Sequence, residues 1–139
     1  MARVKIDFPE KKIATLNIPL RISDINYGNH LGNDSLVSIL HEARVQWLIT
    51  LNYTELDVEG VGLIMSDLSV EYKNEAFYPN ELRIEMFVGD VARVSFDLYY
   101  CITDLQNKIV AKAKTGMVCF DYKERRVAQI PEKLRSIIG

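Results

Sequence analysis

Between Ser23 and Asp34 the sequence gathers residues that can move protons and hold water. Asp24, Asn26 and His30 stand in a stretch otherwise built of turn formers, Ser23-Asp24-Ile25-Asn26-Tyr27-Gly28-Asn29-His30-Leu31-Gly32-Asn33-Asp34. An imidazole with an unperturbed pKa near about 6.5 can serve as a neutral base around neutral pH. Asn26 can hold a water or a carbonyl by hydrogen bonds. Asp24 can orient His30 if the loop folds back, or can close an Asx turn instead. Asn33 and Asp34 are both helix-capping types, so a helix should start there. Its first-turn amides lack intrahelical partners and carry the positive end of the helix dipole, which suits them to a developing oxyanion. One such donor is typically worth about 2.7–4 kcal/mol. Gly32 would let a substrate approach the backbone closely. A base, a water holder and oxyanion donors are what the addition of water to an acyl carbonyl requires. The competing reading of the same residues is a capping network at a helix entry.

The elements around this loop can be read from periodicity. Ile13 to Ile25 contains an alternating apolar run that reads as a strand entering the loop, with Pro19 marking an edge or bulged position. From Asp34 to about Asn52, the residues Leu36, Ile39, Leu40, Ala43, Trp47 and Leu51 recur at helical spacing. Val37, Val45, Leu48 and Ile49 widen that surface, so this helix should be wrapped by a sheet or shared with another subunit. Strand patterns follow at Leu63–Glu75, Leu82–Val88, Val91–Asp104 and Ile109–Asp121, and a short helix should run from Pro131 to Ile138. The order strand, long helix, then about four strands in a meander reads as an α+β architecture, one antiparallel sheet around one helix. One helix cannot cover both faces of such a sheet, and the remaining area predicts an identical subunit as partner.

Composition narrows the function. The 139 residues suit a single domain, 1–139, and no run approaches the roughly 20 apolar residues of a membrane span. The N-terminal segment Met1–Asp7 lacks the apolar stretch and cleavage site of a signal peptide, which points to a cytoplasmic protein. A formal charge of −2 provides no basic field for nucleic acid. Cys101 and Cys119 are too few for a disulfide framework and read as inert strand residues. With His30 and His41 as the only histidines, a protein-built metal site is not expected.

The run Arg21–Asn33, with the helical segment His41-Glu42-Ala43-Arg44-Val45-Gln46-Trp47-Leu48, resembles the hotdog-fold acyl-CoA thioesterases of the 4-hydroxybenzoyl-CoA thioesterase type. Those proteins carry Asp-x-Asp-x-x-Gly-His-x-Asn-Asn before the hotdog helix and Glu-x-Ala-Arg within it. Tyr72 to Leu82 is similar to their Tyr-x-x-x-Ala-x-x-x-Asp-Glu-Leu. On this resemblance Asp24 matches the first Asp, Asn26 the second, Asn29 the Gly, His30 the His, Gly32 the first Asn and Asn33 the second. The family's catalytic carboxylate thus falls on Asn26, which has no ionisable group, and its helical Glu falls on His41, beside Glu42. The plant acyl carrier protein thioesterases look similar in this loop, but of their Asp, Asn and His only His30 remains.

The resemblance implies a five-stranded antiparallel sheet wrapped around one long central helix. It also implies hydrolysis of a small, medium or aromatic acyl-CoA to free acid and CoA, with no cofactor beyond the coenzyme A of the substrate. His30, Asn26 and Asp24 are the catalytic candidates. Tyr27, Gly32, Asn33 and Tyr72 are the substrate-binding ones, and Phe77 and Tyr78 are further candidates for the acyl entrance. The binding groove should lie between subunits of a homodimer or a dimer of dimers, with Arg93, Lys112, Lys114, Arg125 and Arg126 available to coenzyme A phosphates. Two rival functions share the fold: an acyl-CoA-binding protein without turnover, suggested by Asn26, and a hydratase or dehydratase.

Overall fold

The computed structural model describes residues 3–139; Met1 and Ala2, the start of the segment read for a signal peptide, lie outside the described residues. Five long strands alternate around the helix in sequence: β1 (Lys12–Pro19), α1 (Asn33–Thr50), β2 (Gly62–Tyr72), β3 (Glu81–Gly89), β4 (Ser95–Thr103) and β5 (Ile109–Asp121). A two-residue β6 (Arg126–Val127) pairs with the end of β5, and α2 (Glu132–Ile138) closes the chain. The sheet is antiparallel in the order β1-β3-β4-β5-β2.

The four-strand meander read from sequence is corrected here. Only β3, β4 and β5 meander; β2 crosses to the far side and pairs with β5, for example Val70 with Ala113. Alternation fixes which face of a strand is buried but not which neighbour it pairs with. The first strand also ends earlier than expected, at Pro19, and Ile22–Asp24 forms a single 3-10 turn. Pro19 stands on an edge strand, where a missing ladder donor is tolerated. The fourth strand starts at Ser95 rather than Val91, because Asp90 turns the chain at φ 50° and Ala92 N–H bonds back to the Ser95 carbonyl.

One sheet face holds the core. Leu82, Ile84, Met86 and Val88 of β3 and Phe96, Leu98, Tyr100 and Ile102 of β4 pack with Leu36, Ile39, Leu40, Ala43, Trp47 and Leu48 of α1. The sheet covers only that side of α1: Val37 and Val45 stay half-buried and Ile49 is exposed. The opposite sheet face is less bare than the strand count implied. The N-terminal segment crosses it, with Phe8 stacked on Phe87 at 5.2 Å, Lys112 lying 5.6 Å from the Phe8 ring centre, and Ile6 buried with its N–H on the Glu71 carboxylate. No described helix is long and apolar enough to cross a membrane.

Candidate active site

The loop between β1 and α1 is closed by its own polar groups. Asn26 accepts the Gly28 N–H through Oδ1 at 2.9 Å, and its backbone N–H donates to the His30 carbonyl at 2.9 Å. Asn26 is therefore an Asx-turn residue. Asp24 is only 4% exposed; its Oδ2 accepts the Arg21 N–H at 2.8 Å and its Oδ1 lies 3.4 Å from the Arg21 guanidinium. That carboxylate caps the 3-10 turn and does not touch His30, so the loop does not fold back in the way that would let Asp24 orient the imidazole. Tyr27 is fully exposed and touches no cleft.

His30 is held differently. Its Nδ1 sits 3.1 Å from the Leu31 carbonyl, and a carbonyl can only accept, so Nδ1 carries the proton and Nε2 presents a lone pair. The Leu31 N–H in turn donates to the Ala76 carbonyl at 2.8 Å, which clamps the loop to the segment after β2.

The cap of helix α1 lies one residue before the expected ones, and the helix itself begins at Asn33. Gly32 is the capping position, with φ −72° and ψ 147°, and no side chain caps the end. The Gly32 N–H is already engaged by the Asp24 carbonyl at 3.0 Å, while its own carbonyl accepts from Leu36. Among the described residues, the amides of Asn33, Asp34 and Ser35 have no intramolecular acceptor. These three, rather than Gly32, are the free donors at the start of the helix. Gly32 matters for space: a Cβ there would stand 2.7 Å from Asp34 Oδ1.

A cleft of about 230 Å³ opens at this helix end, lined by His30, Gly32, Asn33, Leu36, Tyr72 and Val110, among others. Tyr72 donates its hydroxyl to the Asn33 carbonyl at 3.0 Å, and burial together with the nearby Asp34 charge raises the pKa of its phenol. His30, Gly32, Asn33 and Tyr72 thus come together. Asn26 and Asp24 support the loop from behind. Phe77 and Tyr78 are exposed and lie off the cleft lining.

The expected phosphate-binding cations are elsewhere. Lys112 lies under Phe8 on the far sheet face, and Lys114 pairs with Asp67 at 2.9 Å. Arg93, Arg125 and Arg126 do not line the cleft either; its own cation is Lys73, which the sequence reading passed over together with Asn74 and Glu75. Only the spacing from Tyr72 could have indicated them. Also unforeseen is the buried Arg44, 6% exposed, which donates to Glu55 at 2.7 Å and to the Tyr100 hydroxyl at 3.3 Å. His41 joins Glu55 from the other side at 2.6 Å, so it serves this network and not the loop.

Residues 20–138 match the thioesterase-like superfamily, and the chain belongs to that family. Among solved structures it is similar to the PA2801 protein of Pseudomonas aeruginosa, at 23% identity and a TM-score of 0.85, covering 93% of this chain and 100% of that one. It is also similar to Slr0204 of Synechocystis, a 1,4-dihydroxy-2-naphthoyl-CoA thioesterase, at 20% identity and a TM-score of 0.81, covering 89% and 93%. The SAV2348 protein of Staphylococcus aureus, solved in complex with CoA, is 12% identical with a TM-score of 0.80, covering 96% and 85%. These likenesses establish the hotdog fold. Compared with curated protein sequences, the chain has no match.

Proposed function

We propose that the protein is an acyl-CoA thioesterase acting in the cytoplasm on a small, medium or aromatic acyl group. The observation that carries the reading is the convergence of unpaired amides at Asn33–Ser35 and the free His30 Nε2 on one cleft. A thioester carbonyl directed at those amides would develop its negative charge where donors already wait. His30 Nε2 takes the proton of the attacking water, and the thiolate, a good leaving group, needs little help from an acid. Asn26 holds the loop in shape, and Tyr72 fixes the Asn33 peptide. A cleft of about 230 Å³ admits a short or aromatic acyl group and leaves the carrier outside.

The carrier groove is completed by a second subunit. β2 is an outermost strand of 11 residues with Ile64 and Met65 exposed, and such an edge is a template for another chain. Beside it Met65, Leu68, Val37 and Leu40, together with Ser38, His41 and Thr115, line a groove of about 180 Å³ between β2 and the uncovered strip of α1. A homodimer, or a dimer of dimers, would cover both.

The test is thiol release from short, medium, long and aromatic acyl-CoA thioesters, with His30→Ala alongside. Turnover should fall by about 10²–10⁴ in the variant, the scale of lost general-base assistance. The second reading, binding without turnover, is favoured by the uncharged, turn-forming Asn26. Thermal stabilisation by acyl-CoA with no thiol release would establish it instead.

A further inference from the structure

Neither Asp24 nor Asn26 can activate a water in the cleft: Asp24 is capped against Arg21, and Asn26 carries no charge. Among the described residues lining the cleft, the one carboxylate is Glu75, whose Oε1 stands 3.8 Å from His30 Nε2. The separation is too long for a direct hydrogen bond, yet it lets one water sit about 2.8 Å from both atoms. The backbone on either side of Glu75 is fixed, although the side chain itself is 62% exposed. Tyr72 is tied to Asn33, the N–H groups of Lys73 and Asn74 both donate to the Val110 carbonyl, Asn74 Nδ2 donates to the Ile109 carbonyl at 2.7 Å, and the Ala76 carbonyl takes the Leu31 N–H. The segment carrying Glu75 is therefore clamped on both sides to the segments that build the cleft. Lys73 on the same stretch is turned to Glu71 at 2.8 Å and does not neutralise Glu75.

We infer that Glu75 supplies the carboxylate that Asn26 cannot, and that with His30 it holds the attacking water over the α1 amides. This rests on the hydrolase reading above. In the step, the water oxygen forms a bond to the thioester carbon while its proton passes to His30 Nε2. The carbonyl π electrons move to oxygen, facing the N–H groups of Asn33, Asp34 and Ser35. Collapse restores the C=O bond and breaks C–S, and the departing thiolate takes the proton back from the imidazolium. Glu75 keeps the water oriented and stabilises the imidazolium between those events.

The experiment compares the full-length protein with Glu75→Gln and Glu75→Asp on the acyl-CoA it turns over fastest. Glu75→Gln should lower kcat by about 10²–10⁴, with KM within a few-fold and the melting temperature unchanged, and Glu75→Asp should recover part of the loss. A Glu75→Gln protein with wild-type kcat would overturn the inference and leave the hydrolase reading standing. So would a loss of kcat that tracks a fall in melting temperature and is not recovered by Asp, which would mark Glu75 as a structural residue. Absence of turnover by the wild type on every acyl-CoA would remove the hydrolase reading, and this inference with it.

Discussion

Arg44 shows what a single residue contributes away from the cleft. A guanidinium in the apolar heart of α1 persists only because Glu55, Tyr100 and through it Thr115 satisfy it. Burial works against ionisation of Glu55, but the Arg44 hydrogen bond and charge, with His41 beside them, outweigh it and hold its pKa below the ordinary value. A depressed carboxylate contributes stability that is complete above the ordinary glutamate range and is lost as pH falls through the lower folded value. Glu55→Gln should cost about 3 kcal/mol at neutral pH, the low end of the range for breaking a buried pair because Glu55 is partly solvated. Denaturant unfolding from neutral to acid pH should show the gap between variant and wild type closing in acid; a constant gap would refute the assignment. Arg44 was illegible in the sequence because its partner lies eleven positions on, in the turn-rich stretch before β2. That His30, Gly32 and Asn33 lie together was legible because a loop dense in turn formers before an apolar helix leaves few places for chemistry, whereas Tyr72, at the end of β2, was named only through the resemblance. Asp24 and Asn26 stand in the same loop, and only their hydrogen bonds reveal a capping role.

At the scale of elements, the periodicities carried most of the information. β5 spans the residues its alternation marked, and β3 agrees within one residue at each end. Ends set by backbone bonds were not readable. The start of α1 moves to Asn33 because Gly32 gives its N–H to the Asp24 carbonyl, which leaves the free amides at Asn33, Asp34 and Ser35. The place of β2 was hidden for another reason. A crossing strand has the same alternation as a neighbouring one, and pairing is settled by the cooperative fit of five strands over one helix. That crossing carries Tyr72 and Glu75 to the α1 N-terminus and leaves the β2 edge open.

For the whole molecule, the uncovered strip of α1 and the β2 edge form one continuous surface around Met65. Sedimentation of the wild type should give a dimer or a dimer of dimers, and Met65→Lys should shift it toward monomer by placing a charge on that surface. A wild type that remains monomeric at micromolar concentration would show that the carrier groove is built by one chain alone. The N-terminal segment across the other sheet face removes area that the bare strand count would have offered to a partner.

The most direct measurement is a crystal structure with a non-hydrolysable acyl-CoA analogue that keeps the carbonyl and replaces sulfur by carbon. The carbonyl oxygen should lie about 2.7–3.1 Å from the amides of Asn33, Asp34 or Ser35, with the acyl group between Leu36 and Val110 and His30 Nε2 facing the carbonyl carbon. A carbonyl bound away from that helix end, for example in the separate cleft lined by Arg21, Asp24, Ile39 and Glu42, would contradict the assignment of the site.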